Sequence, residues 1–416
     1  MREPPAREVW VTGLGALTPL GIGSAATWDG LVAGRNGIGP ITLFDASALP
    51  VRFAGEVPGF EVSDHLDRKV SRQKPRFQHF ALVAGLEAWR DSGLDRVAPP
   101  PERIAVCMGT GVGGYDVLIE QDAILREQGP RRVSPFAVNM YIGNMGAAAL
   151  SMLLGAKGRS ECVVTACATG NTAISDGLRW IQRGDADVVL AGAAEAALIP
   201  IGIASFAAAR ALSTRNDEPG RACRPFDADR DGFVIAEGAG VLVLEARESA
   251  ERRGREPYAI LAGAAQTADA HHPTAPPEDG EGLARAISNA LRDAAVDPAE
   301  VGYVNAHGSS TPYNDRAETR ALHTAFGAHA RRLAVSSTKS MTGHAMGAAG
   351  GIEAVATVLA LHRGVLPPTI NLDRPDPECD LDYLPHRSRE ERVEVAISNA
   401  AGFGGHNAVL VFRRAR

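Results

Sequence analysis

Residues 161–184, ECVVTACATGNTAISDGLRWIQRG, pass from an apolar, β-branched run through a turn of small residues into a helical pattern. Cys162–Ala166 read as a strand, and Ile174, Leu178 and Ile181 then share one face of a helix that Gly184 stops. Cys167 therefore sits where a strand ends and a helix begins. Unpaired amides and the positive end of the helix dipole favour an anion there. Such a position lowers a thiol's pKa and suits a nucleophile. The small neighbours Ala166, Ala168 and Gly170 leave room for a substrate. A buried structural thiol is the competing reading. A further buried strand at 187–192 completes a βαβ crossover, so the fold is α/β with a partly parallel sheet.

The rest of the chain repeats strand-then-loop units. A strand at 8–12 leads into a loop, Gly13–Gly21, whose GxGxxx pattern is not a dinucleotide fingerprint. Ser24 is placed to cap a helix over 25–34. The strand 104–108 leads into the glycine-rich loop 109–114, which lacks the GK[ST] of a phosphate cradle. Helices are expected at 78–92, 115–128 and 139–154, and a strand at 239–245 closes the first half. Arg68, Lys69, Arg72, Lys74 and Arg76 cluster within 65–76, as a solvated surface or as a dock for an acidic partner. Asp227, Asp229, Asp231 and Gly232 resemble the start of a calcium loop, but its twelfth position is Gly238 rather than an acid, so no metal site is expected.

A second half begins near Pro257 with a strand and a helix at 281–294. Three strand ends follow, leading into His307, into Lys339 and His344, and into a glycine-rich loop over 399–407 that holds Phe403. A helix at 345–363 repeats the Cys167 unit and suggests an internal duplication. The halves are taken as 1–256, with the cysteine, and 257–416, with the His/Lys/His set; no linker separates them. In open α/β sheets, sites gather beyond strand ends. A thiol, two imidazoles and the amides of Gly402–Gly404 suit acyl transfer, with an oxyanion hole and donors for an enolate. The net charge of −6 argues against general nucleic-acid binding. Five scattered cysteines without a CxxC pair suit a reducing cytoplasm rather than a disulfide framework or zinc. There is no apolar leader core and no membrane-length apolar run, so a soluble chain with no membrane partner is expected.

The motifs VTACATGN (164–171), RPFDADRDGFV (224–234), YVNAHGSSTP (303–312), SSTKSMTGHAMGAAG (336–350) and GFGGHNAVLVF (402–412) stand in one order along nearly the whole chain. In these the sequence resembles the elongating β-ketoacyl-acyl carrier protein synthases of the thiolase superfamily. The resemblance implies a five-layered αβαβα fold of two similar halves, working as a homodimer or as a heterodimer with a chain-length-factor-like subunit. It implies that Cys167 accepts an acyl chain from acyl carrier protein and that His307 and His344 serve decarboxylation of malonyl-carrier protein. Lys339 would hold this network through Glu318 or Glu353. The amides of Cys167 and Phe403, with Gly402, would form the oxyanion hole. Ser309 and Thr311 match positions that contact the pantetheine arm. Val112, Phe136, Ala137, Phe206, Met346 and Ala401 match acyl-pocket positions, and Arg68, Lys69, Arg72, Lys74 and Arg210 become the carrier-protein dock. No metal or soluble cofactor is implied. Ala401 stands where the family commonly has an aromatic gate, and Ala137 where a second Phe is common. Both changes widen the pocket, as a longer or stiffer chain such as a polyene or other polyketide would require. A degradative thiolase would need a second reactive cysteine near the C-terminus, and none follows Cys379.

Overall fold

The computed structural model describes residues 7–415. Residues 1–6 and Arg416, which the expected halves include, lie outside the described residues. Ten strands carry the architecture. In the first half they are β1 (Val9–Thr18), β2 (Ile104–Gly109), β3 (Ser160–Glu161), β4 (Val188–Glu195) and β5 (Gly238–Ala246). In the second half they are β6 (Ala259–Ala268), β7 (Val301–Asn305), β8 (Ala334–Ser336), β9 (Val395–Gly402) and β10 (His406–Arg414). The first five pair in the order β3-β2-β4-β5-β1 and the second five in the order β8-β7-β9-β10-β6. Adding five to each label converts one order into the other. The directions agree as well: each half has two parallel pairings followed by two antiparallel ones. The two half-sheets touch edge to edge through only three residue pairs, Val9–Val11 of β1 against Ala259–Leu261 of β6.

The helices make the remaining layers. Helices α1 (Arg76–Asp91), α2 (Tyr115–Gln128) and α3 (Met145–Leu154) belong to the first half. Of these, α1 and α3 cover the outer face of the first half-sheet. Helices α5 (Glu281–Asp293) and α6 (Pro312–Phe326) stack on each other outside the second half-sheet, where α5 covers β6 and β10. Between the half-sheets lie α4 (Thr169–Gln182) and α7 (Ala349–Arg363), each packed on strands from both. This is the expected αβαβα sandwich. The central pair is buried almost all round, α7 from Ala349 to Leu361 without a break. It crosses at glycine: a Cβ on Gly170 would lie 2.3 Å from the Gly351 nitrogen, and one on Gly350 would lie 2.7 Å from the Asn171 nitrogen. The duplication extends to the turns, since Ala166 before α4 and Met346 before α7 both take φ +50. Among the described residues, no helix is long and apolar enough to cross a membrane.

Several sequence expectations are corrected. Gly13–Thr18 is not a loop but the continuation of β1, paired with β5 beyond a bulge at Thr12. Gly13 and Gly15 are there because α1 lies on top of them; a Cβ would fall 2.2 Å and 2.0 Å from the Ala88 and Ala84 carbonyl oxygens. Ser24 does not cap its helix: Gly23 holds that position, while the Ser24 amide and hydroxyl donate to Glu87 at 2.7 and 2.9 Å. The helix expected over 139–154 breaks between Tyr141 and Met145. No strand forms over the expected 162–166: the strand is Ser160–Glu161, just before it, an edge strand whose chain then leaves its single partner to enter the Cys167 turn. The loop expected at 399–407 is mostly ladder, with Phe403–Gly405 linking β9 to β10.

Enlarging Gly170 forces the central helices apart at a backbone contact. Gly170→Ala should destabilise the fold by about 1–3 kcal/mol, the usual cost of overpacking a core. A urea denaturation series against wild type tests this; an unchanged midpoint would sink the argument that this crossing is closed to any side chain.

Candidate active site

Cys167 lies in the short turn Ala166–Ala168 ahead of α4. Thr169 Oγ1 pins that turn, accepting from the Thr165 amide at 2.9 Å and donating to the Ala166 carbonyl at 2.7 Å. The end of β9 closes on it: a Cβ on Gly402 would lie 2.6 Å from the Thr165 carbonyl oxygen and 3.0 Å from the Cys167 nitrogen. Only glycine lets the strand come so near. Burial pushes the Cys167 thiol up to about 11, against the Lys339 charge and a hydrogen bond from the Phe403 backbone amide. This corrects the expected lowering. The side chain sits inside the fold, 7% exposed, rather than at a solvated helix end.

His307 follows β7, and His344 follows the Lys339–Thr342 turn. Their rings stand 5.3 Å apart and nearly perpendicular, at 81°. Burial holds both pKa values well below the ordinary imidazole range, with Lys339 adding to the effect, so both rings are neutral. Lys339 Nζ lies 3.4 Å from His307 Nδ1 and donates to the His307 carbonyl at 2.6 Å. A donor at Nδ1 leaves the His307 proton on Nε2. The third Lys339 partner is Glu353, in a fully buried ion pair. Of the two acids expected to support Lys339, Glu353 makes the contact. Glu318 acts elsewhere, accepting from the His307 and Gly308 amides at 2.8 Å each and from Asn399 Nδ2 at 3.1 Å. Phe233 packs edge-on against His344, with centroids 5.3 Å apart.

These groups meet at one cavity of about 260 Å³. Cys167, His307 and His344 line it together with Gly402, Phe403, Ser309, Thr311, Arg210, Phe206, Met346 and Ala401. Lys339 and Glu353 lie behind the wall, at most 2% exposed. Val112 does not reach the cavity but packs behind it in one apolar cluster with Met346 and Phe206. Phe136 and Ala137 are not in the wall either. Phe136 is 42% exposed, next to Val138 and beside α2, whose Tyr115, Leu118 and Ile119 are exposed as well. Arg68, Lys69 and Arg72 are exposed and Lys74 is half-buried, away from the cavity wall. Arg76 of the same run is occupied, bonded to buried Glu237 at 2.6 and 2.7 Å and lying over Phe80.

The β-ketoacyl synthase N-terminal domain matches residues 6–250 and the β-ketoacyl synthase C-terminal domain matches 258–373. The chain belongs to the β-ketoacyl synthase family. A 3-oxoacyl-[acyl-carrier-protein] synthase 2 from Synechocystis sp. is 53% identical over 98% of each chain, and one from Staphylococcus aureus is 47% identical over the same shares. Among solved structures, the type II polyketide ketosynthase bound to a hexaketide, in complex with its acyl-carrier protein, superposes with a TM-score of 0.91 at 35% identity. It covers 99% of this chain and 100% of its own. The ishigamide ketosynthase/chain length factor gives the same figures.

Within this β-ketoacyl synthase fold, sequence reasoning missed the residues that act through others. Arg230, in the run read for calcium, donates to the Thr311 and Pro312 carbonyls at 3.1 and 2.9 Å and to Asp376 at 2.8 Å, fixing the rim that carries Ser309 and Thr311. Asp227 is filled by Arg224 and by the amides of Asp229, Asp373 and Arg374. Their signal was the alternation of Arg and Asp at 224–231, which suits buried pairing as well as a loop of ligands. Asn399 and Glu195 carried no sequence signal at all.

Two outcomes follow from the buried charges. The unfolded chain protonates His307 and His344 below about pH 6.5, whereas the folded chain keeps them neutral. Their contribution to stability is therefore full above that pH and is lost as the pH falls, by about 1.4 kcal/mol per pH unit for each ring. Urea midpoints measured across this range should fall more steeply for wild type than for a His307→Asn/His344→Asn variant; equal slopes would contradict the neutral assignment. Lys339→Met leaves Glu353 without its cation and should cost about 3–5 kcal/mol, whereas Lys339→Met/Glu353→Gln should recover much of it. Thermal and urea unfolding of the two variants decides this.

Proposed function

We propose that this synthase is an elongating 3-oxoacyl-acyl carrier protein synthase whose catalytic groups are Cys167, His307 and His344. The observation that carries the reading is their convergence on one cavity, with Lys339 and Glu353 locked behind. The Cys167 sulfur attacks the thioester of an acyl-carrier protein. The acyl group passes to sulfur, and the pantetheine thiolate leaves with the proton the thiol gives up. The amides of Cys167 and Phe403 hold the oxyanion. Malonyl-carrier protein then binds in the emptied arm of the cavity, with its pantetheine along Ser309 and Thr311. Loss of CO2 leaves an enolate that the imidazoles of His307 and His344 stabilise as hydrogen-bond donors. Its carbon attacks the Cys167 thioester, and the Cys167 thiolate departs and is reprotonated. Decarboxylation drives the condensation, so no metal or redox cofactor takes part. Because both rings are neutral, each donates from its one N–H without bringing a second cation beside Lys339.

The carrier protein, an acidic partner, is proposed to dock on Arg68, Lys69, Arg72, Lys74 and Arg210; of these, Arg210 reaches the cavity. The apolar face around Phe136 supports a dimer, with a second copy or with a chain-length-factor-like subunit. The division at 256/257 puts the nucleophile in one half and the His/Lys/His set in the other. Five free thiols suit a reducing cytoplasm. Chain length is a separate matter. The curated relatives support fatty-acid elongation, while Ala401 in the cavity wall favours a wider substrate such as a polyene or other polyketide.

Intact-protein mass spectrometry after mixing with acyl-carrier proteins of varied length and unsaturation tests the reading. Wild type should gain one acyl group and Cys167→Ala none. Equal acylation of both would remove Cys167 as nucleophile. Refusal of unsaturated chains would remove the wider-substrate assignment.

A further inference from the structure

Glu195 ends β4 with its carboxylate fully buried. Each of its oxygens accepts two hydrogen bonds. Oε1 takes the Thr110 hydroxyl at 2.9 Å and the Val112 amide at 3.3 Å. Oε2 takes the Gly111 amide at 2.6 Å and the Gly347 amide at 3.0 Å. All four partners are neutral, and three are backbone groups. Burial raises the pKa of this acid, and the same four donors oppose the rise. The carboxylate thus joins the loop after β2 to the turn that opens α7. Glycine is required on both sides, since a Cβ on Gly111 or Gly347 would lie 2.6 or 2.8 Å from Oε2.

The internal duplication gives this arrangement a counterpart. The loop after β7, the strand equivalent to β2, is held in the same way: Glu318 accepts two successive amides, those of His307 and Gly308. In the second half the fastened loop carries a catalytic histidine. In the first half it carries Val112, which packs with Met346 behind the cavity wall. Met346 is also the residue next to Gly347 and itself lines the cavity beside Phe206. One carboxylate therefore holds both backbone segments that make up the apolar wall behind Met346, beside Phe206.

We propose that Glu195 is a positioning residue for long acyl chains: it fastens the loop that carries Val112 to the turn that carries Met346 and so fixes the apolar wall along which such a chain lies. The inference rests on the acyl-transfer reading above. A butyryl chain covers less of this wall than a palmitoyl chain does, and malonyl decarboxylation uses His307 and His344 instead. In Glu195→Gln the amide nitrogen must face either the Val112 amide or the amides of Gly111 and Gly347, so a buried N–H loses its acceptor in either orientation.

The test compares wild type and Glu195→Gln in three assays on the full chain. These are acylation of Cys167 from butyryl-carrier protein, acylation from palmitoyl-carrier protein, and CO2 release from malonyl-carrier protein. Palmitoyl transfer should fall about tenfold or more, the scale of one unsatisfied buried group, while the other two rates stay within about twofold. Thr110→Val removes one donor without adding another and should move the palmitoyl rate in the same direction by a smaller factor; it decides the matter if the Gln variant does not fold. Equal loss in all three assays, or no loss in any, overturns the inference. A wild type that acylates from neither carrier overturns the acyl-transfer reading instead, which is a distinguishable result.

Discussion

The crossing of the two central helices is the constraint on which the site depends. Gly170 meets Gly351 backbone to backbone, and Gly350 meets Asn171. This contact brings together the amino ends of α4 and α7, and with them the two turns that precede these helices. Cys167 belongs to one turn, and Met346, two residues after His344, to the other. A residue with a Cβ at the crossing would move the Cys167 turn away from the turn that follows His344. The half-sheets themselves share only three residue pairs, so the helix contact rather than the sheet sets the distance between the halves.

Around that contact the molecule buries an unusual amount of polarity without leaving charge unopposed. The two imidazoles stay neutral, and the lysine that helps keep them so is neutralised by Glu353. Two further buried acids, Glu195 and Glu318, are held mainly by backbone amides instead of cations. Low dielectric strengthens every one of these hydrogen bonds and penalises any that is lost. Such a network suits a reaction whose transition states carry a developing enolate or oxyanion, since the donors are in place before that charge appears.

Much of this was readable from the chain. Each strand end that carries chemistry is a short apolar run followed by small polar residues, a local pattern, so Cys167, His307, Lys339 and His344 stood out. The two-half organisation was readable for the same reason. What escaped was set by distant neighbours. Gly13 and Gly15 look like turn glycines until α1 is laid over them. Burial of Cys167 depends on the approach of β9 from far along the chain, so the rise in its pKa was invisible, and only the helix terminus, which argues the other way, could be seen. Glu195 reads as an ordinary strand residue; its meaning lies in Gly111 and Gly347, which no sequence spacing relates. Phe136 and Ala137 were placed by resemblance alone, and a single chain leaves them outside the cavity.

The strand order bears on how such a chain is made. Within each half the first strand pairs with the last, Val9 with Ala246 in one and Ala259 with Arg414 in the other. Each half-sheet therefore waits for its final strand, and long-range closure of this kind is slow. During synthesis the first half completes its strands before the second half exists, and of the two helices on its inner face it then has α4 but not α7. The nascent chain carries a finished sheet whose inner face is only partly covered through the translation of more than a hundred further residues. A duplicated enzyme of this design thus exposes apolar surface while it is being made because of its topology, whatever the stability of the finished molecule.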